Sequence, residues 1–230
     1  MKLLIKSQVR SSPFFYRIWF FIRQKGQKQL LKLRLPQVGD DFYIDGYPRS
    51  GNTFCTGFLK WTVPEKKYAH HLHNIAPIKI ALSKYIKTIV LYRNPKDTIA
   101  SFAIMQDSHG RGLKGNKDYL FEILQNYIFY YQFVLNEKNR ITVLNFETII
   151  DVNRLNNFFN KKLLIQKKNK DELEEFVIKF KKNQKRKPNE RTSSPNEERQ
   201  KMKIHVEQII EELPNFPMAM KIFSELNSLN

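Results

Sequence analysis

Three groups of residues have the types and spacing to do chemistry. The first is Tyr47-Pro48-Arg49-Ser50-Gly51-Asn52-Thr53, a single cation set among small residues and hydrogen-bond donors. Such a loop, placed before a helix, turns backbone N–H groups and the positive end of the helix dipole toward an anion. Gly51 lets the backbone come close to that ligand. The second group is Arg93-Asn94-Pro95-Lys96-Asp97, with Ser101 eight residues after Arg93. Arginine pairs with phosphate through a charge-assisted fork, while Ser101 by itself reads as a small helix residue. The third is His70-His71-Leu72-His73. Imidazole takes up a proton near neutral pH. The two arginine-bearing groups point to a phosphate-like anion, and the third group offers a proton acceptor.

These residues need a frame to bring them together. Phe42 to Ile44 reads as a short buried strand, broken by Gly46 and Pro48, with a helix from Asn52 to about Trp61. Lys87 to Tyr92 is a second, β-branched strand. Asn94 can cap the helix after it, Pro95 suits the first helical position, and Asp97 suits the first turn. That helix continues to Met105. Asp107 to Lys117, with three glycines, reads as a mobile loop. Asp118 to Asn136 has Phe121, Leu124, Ile128, Tyr131 and Leu135 at helical core spacing. Arg140 to Phe146 predicts a third strand, and Phe158 to Ile165 and Leu173 to Phe180 predict helical pieces. Ser194-Pro195-Asn196-Glu197 has the form of a capping box, starting a helix that runs to about Glu212. A last helix covers Met218 to Leu226. Strands alternating with helices predict an α/β fold with a central, mostly parallel sheet flanked by helices.

Gly46 and Gly51 have the spacing of the nucleotide-binding pattern G-x-x-x-x-G-K-[ST], and Thr53 fits its last position. Asn52, however, stands where that pattern has lysine, and Arg93 ends the second strand where a magnesium-binding acid would be needed. A magnesium-bound triphosphate is therefore a poor fit. The loop at residues 47–53 resembles the 5′-phosphosulfate loop of the sulfotransferase family, usually Y-P-K-S-G-T-T-W. Arg93 to Asp97 followed by Ser101 resembles that family's 3′-phosphate motif, in the family's order. The resemblance covers residues 42–105.

It implies a P-loop-like sulfotransferase fold, with 3′-phosphoadenosine 5′-phosphosulfate (PAPS) as cosubstrate, no metal, and a hydroxyl or amine acceptor. Arg49 matches the loop lysine placed near the bridging oxygen. Ser50, Gly51, Asn52 and Thr53 match donors to the 5′-phosphate, and Arg93 and Ser101 match the 3′-phosphate contacts. Phe54 matches an aromatic that packs on adenine, and could equally be core. The family's further contact, a C-terminal R-K-G-x-x-G loop, is missing, since no glycine follows Gly115. Arg186, Lys187 or Arg191 could replace it, and Arg191 is carried forward. The family's base precedes the 3′-phosphate arginine by about two dozen residues. His71 fits that spacing better, His73 is also compatible, and His70 falls where many members place lysine. Glu147, in Asn145-Phe146-Glu147, reads as structural.

Composition bounds the rest. A chain of 230 residues is most simply one globular domain, here residues 36–230, preceded by a basic and aromatic helical segment, 1–35. The net charge of +18 points to an anionic partner or to coding-base bias, and no specific nucleic-acid motif accompanies it. Cys55 is the single cysteine, so no intrachain disulfide can form and a reducing, cytoplasmic location is expected. The run from Pro13 to Ile22 is too short to cross a bilayer and is interrupted by Arg17. Residues 1–25 read either as an interfacial membrane helix or, by preference, as a helix packed on the domain. Two other functions stay in view. A kinase or other NTPase meets the misplaced Asn52 and Arg93. A non-catalytic membrane- or nucleic-acid-binding protein explains the charge but not the two ordered motifs.

Overall fold

The computed structural model describes residues 11–26, 33–69, 71–107, 115–185 and 197–229. Among the described residues four strands form one sheet in the order β2-β1-β3-β4: β1 (Phe42–Gly46), β2 (Tyr68–Ala69), β3 (Lys87–Tyr92) and β4 (Ile141–Asn145). Every pairing is parallel. All of β1 is buried, as is β3 after Lys87, which explains the apolar runs Phe42 to Ile44 and Ile89 to Tyr92.

The helices are α1 (Pro13–Gly26), α2 (Asn52–Thr62), α3 (Ile75–Ser83), α4 (Pro95–Asp107) and α5 (Lys117–Asn136), then α6 (Phe146–Ile150), α7 (Val152–Leu163), α8 (Lys170–Lys185), α9 (Glu197–Glu211) and α10 (Phe216–Asn227). Alternation along the strands divides the core in two. Tyr43, Val90 and Tyr92 face a cluster with side chains from α3, α4, α5, α9 and α10. Phe42, Ile44, Ile89 and Leu91 face the other, with Phe58 of α2, Phe159 of α7 and Phe176 of α8. The α/β sandwich expected from the sequence is thus present, with helices on both faces.

The topology sets where a ligand can sit. From β1 the chain steps to β2 on one side and then crosses to β3 on the other, so the order reverses between β1 and β3. In open parallel sheets the crevice beyond the carboxyl ends of the strands, at such a reversal, is the binding position. The loop carrying Arg49 leaves β1, and Arg93 leaves β3.

Several elements depart from the sequence expectation. α3 is buried on almost every side, so it has no polar face to give helical periodicity. β2 has two residues, too few to carry an alternating pattern. α7 begins at Val152 rather than Phe158, because the Asp151 side chain accepts from the Asn153 and Arg154 amides and caps it. The loop expected over 107–117 and the box at 194–197 fall largely outside the described residues.

Candidate active site

The loop after β1 is shaped by its backbone. Arg49 has φ 76 and Gly51 φ 91. The positive φ at Gly51 favours glycine, and a Cβ there would also sit 3.2 Å from Ile149 and 3.3 Å from Phe146, so those side chains would have to give by a few tenths of an ångström. Gly51 precedes α2 with no side-chain cap, leaving the first amides of this helix of 11 residues for a ligand. Ser50 and Asn52 are buried. Asn52 Nδ2 turns back to the carbonyls of Gly46 (3.4 Å) and Tyr47 (3.3 Å). Ser50 Oγ lies 3.3 Å from the Tyr131 hydroxyl. These two side chains therefore brace the loop from beneath, and what they present outward is backbone. Thr53 is exposed beside them.

Helix α5 supports both the loop after β1 and the end of β3. The Tyr131 hydroxyl donates to the Leu91 carbonyl at 2.7 Å and accepts from the Tyr47 amide at 3.3 Å. The Tyr127 hydroxyl donates to the Arg93 carbonyl at 2.8 Å, and the Tyr47 hydroxyl donates to the Ile123 carbonyl at 2.8 Å. Tyr131→Phe keeps the ring and removes the shared hydroxyl, leaving buried polar groups unpaired. It is expected to lower stability by about 1–3 kcal/mol, read as a shift in the urea midpoint at unchanged slope.

The two motifs meet in space. Arg49 Nε donates to Ser101 Oγ at 2.9 Å, and Arg93 Nη1 donates to the Arg49 carbonyl at 3.4 Å. The Arg93 guanidinium lies 4.1 Å from the centre of the Phe146 ring and 3.7 Å from Asp97. Burial pulls its pKa down, against the opposing pull of Asp97 and Glu147. Its Nε is buried and, among the described residues, finds no acceptor. A cation held in a partly dry niche with a donor left over is suited to an incoming anion.

From the C-terminal part, Lys203 on α9 pairs with Asp97, next to Arg93. Arg186, Lys187 and Arg191 lie outside the described residues, as does His70. Phe54 is half-buried and packs against Phe176 and Phe180, at ring separations of 5.5 and 4.9 Å, beside the core on the α2 side of the sheet. Cys55 is buried, which pushes its thiol pKa upward and keeps it protonated.

The histidines follow β2, on the opposite side of β1 from Arg93. Sequence reasoning missed the residue that organises them. Asp45, fully buried in β1, accepts from the Tyr43 hydroxyl at 2.5 Å, the Leu72 amide at 3.2 Å and the His73 amide at 3.1 Å. His73 Nδ1 lies 3.5 Å from Asp45 and 2.7 Å from the Gly46 carbonyl. Because a carbonyl can only accept, that nitrogen carries the proton, and the neutral ring keeps its lone pair on Nε2.

Burial would raise the Asp45 carboxyl, but the hydrogen bond and charge of His73 and the Tyr43 hydroxyl bring it below its ordinary value. Burial would lower the His73 imidazole, but the hydrogen bond and charge of Asp45 and the Gly46 carbonyl raise it above its ordinary value. With the His73 side chain 32% exposed, solvent weakens the burial effect and Asp45 decides the direction. The rings of His71 and His73 lie 4.9 Å apart. The backbone of His73 is left-handed, φ 56, so both it and Arg49 sit in the strained region that tends to collect at functional sites. The one sequence signal for Asp45 was a charged residue inside an apolar strand.

No family model matches the chain, and no curated protein sequence matches it. Among solved structures it is similar to a mouse sulfotransferase, SULT7A1, complexed with PAP, at 16% identity over 84% of each chain, with a TM-score of 0.47.

Proposed function

We propose that this chain is a sulfotransferase that moves a sulfuryl group from PAPS to a hydroxyl or amine. The observation that carries this reading is the convergence of Arg49, Ser101 and Arg93 at the β1–β3 reversal, next to the uncapped start of α2. The residues suit the donor: two cations and a row of amides face one crevice, and Arg93 keeps an unused buried donor. When bound there, PAPS supplies an activated sulfuryl group and leaves as a bisphosphate.

The chain's own groups then divide the work. The amides at the start of α2 and the Arg49 guanidinium hold the 5′ end and oppose charge that builds on the leaving oxygen. Arg93 and Ser101 hold the 3′-phosphate. His73 Nε2 takes the acceptor's proton as the acceptor bonds to sulfur, with Asp45 orienting the ring and stabilising its protonated form. We place the base at His73 rather than His71, which the sequence spacing favours. For His73 the Gly46 carbonyl fixes the tautomer and Asp45 supplies a carboxylate partner. The His71 ring lies beside it, tilted by 50°.

Arg49→Ala is expected to lower turnover more than it weakens bisphosphate binding, since charge opposed only in the transition state appears in kcat. Arg49→Lys recovers part of the rate, because a point charge replaces the fork. Full turnover with weaker binding alone would make Arg49 a tether. The reading as a whole is tested by transfer of labelled sulfate from PAPS across phenol, alcohol, amine, carbohydrate and lipid acceptors. Transfer to at least one class, abolished in Arg93→Ala, is the expected result. No transfer to any class, with phosphate transfer from ATP instead, would overturn it.

A further inference from the structure

The N-terminal helix carries a second surface. α1 docks by one edge only: Tyr16 and Phe20 are buried against Ala76, with Leu33, Leu35 and Leu72 around them. Its other large side chains face outward, with Phe14 67%, Phe21 60% and Ile22 65% exposed, and Phe15, Ile18 and Trp19 exposed beside them. At 3.6 residues per turn these six cover an arc of roughly 160° opposite the docked edge. Arg17 and Arg23 stand at the two borders of that arc, the latter with its guanidinium 4.9 Å from the Trp19 ring. Lys25 reaches over Phe21 at 4.7 Å. Beside the helix an apolar groove of about 520 Å³ is lined by Arg17, Ile18, Phe21, Ile22 and Leu35 among others. None of the residues assigned to the PAPS crevice lines it.

We propose that this face binds the surface of an anionic phospholipid bilayer. A soluble protein rarely exposes a contiguous apolar patch of this kind without an occupant. The charge says which occupant fits. Nine lysines and arginines, and no Asp or Glu, precede Asp40. An apolar face with basic borders lies in the plane of a membrane, apolar side chains among the acyl chains and cations at the headgroup phosphates. Among the described residues, no helix is long and apolar enough to cross a membrane. The docked edge fixes the helix to the domain while the opposite face inserts, so packing on the domain and membrane contact occur together.

The test is flotation of the full chain with vesicles of phosphatidylcholine alone and of equimolar phosphatidylcholine and phosphatidylserine. The chain is expected to float with the anionic vesicles and to be released by salt. Phe14→Ser, Phe15→Ser and Ile22→Ser combined should reduce partitioning by about a thousandfold, each large apolar side chain contributing roughly tenfold. Arg17→Gln with Arg23→Gln should lose roughly fivefold per charge on anionic vesicles and little on neutral ones. All five positions are exposed, so thermal melting and bisphosphate binding should stay unchanged, which separates this proposal from the assignment of the crevice. Brominated lipid should quench Trp19. Failure of the wild-type chain to float, or triple-serine variants that float as well as wild type, would overturn it. So would a concentration-dependent dimer that the serine changes abolish without any effect of lipid, since the face would then join two copies of the chain.

Discussion

His73→Asn is expected to lower turnover by about 10²–10⁴-fold while leaving bisphosphate binding nearly intact. Asparagine is the chosen replacement because it tolerates the left-handed backbone at this position, φ 56, better than alanine does. A loss of rate then reports the missing imidazole rather than a displaced segment. His71→Ala should have the smaller effect. If the His71 variant is inactive and the His73 variant turns over, the base is His71 and the Asp45–His73 contact is a structural clasp.

The same pair has a pH signature. A base must be neutral to accept a proton, so the rate rises with pH through the His73 pKa, which Asp45 holds above the ordinary value of about 6.5. Asp45→Asn removes that upward pull, and the acid limb of kcat/KM should move to lower pH. Stability follows the opposite sense for His73. Its raised pKa adds stability that is full below the ordinary imidazole value and is lost as pH rises through the folded one. Asp45, with a lowered pKa, adds stability above the ordinary carboxyl value that is lost as pH falls through the folded one. The pair therefore contributes most between about pH 4 and pH 6.5, and Asp45→Asn should flatten the stability profile there.

Arg93→Ala should weaken adenosine 3′,5′-bisphosphate binding by about 1.5–3 kcal/mol, the range for hydrogen bonds to charged groups. Adenosine 5′-phosphate, which lacks the 3′ group, should lose far less. The contrast matters because Arg93 also touches the Arg49 carbonyl and the Phe146 ring. If Arg93 mainly held the loop in shape, both ligands would weaken equally, and calorimetric titration separates the two cases.

What could be read from the residues depended on how locally each signal was written. β1 and β3 were legible because strands buried on both faces carry apolar runs, and the start of α4 was legible from Asn94, Pro95 and Asp97. The meeting of Arg49 with Ser101, 52 residues apart, follows from parallel pairing of adjacent strands. Asp45 was not legible. Its role depends on a chain segment 27 and 28 residues away folding over it, and an acid in a strand has no local pattern that announces such a partner. Ser50 and Asn52 lie in the loop between β1 and α2, as the sequence predicts, but which way their side chains turn is set by Tyr131 on α5 and by the carbonyls at the end of β1. For α1 the two sequence readings were set against each other, whereas the helix docks by Tyr16 and Phe20 and leaves its opposite face open.

The central claim is that the crevice between β1 and β3 takes a metal-free 3′,5′-bisphosphate. Isothermal titration of the full chain with adenosine 3′,5′-bisphosphate in the presence of a chelator addresses it most directly, with ATP plus Mg²⁺ as the comparison. Binding of the bisphosphate that is unaffected by the chelator and tighter than that of ATP plus Mg²⁺ is the expected result. Binding of ATP only with Mg²⁺, and no heat with the bisphosphate, would contradict the account.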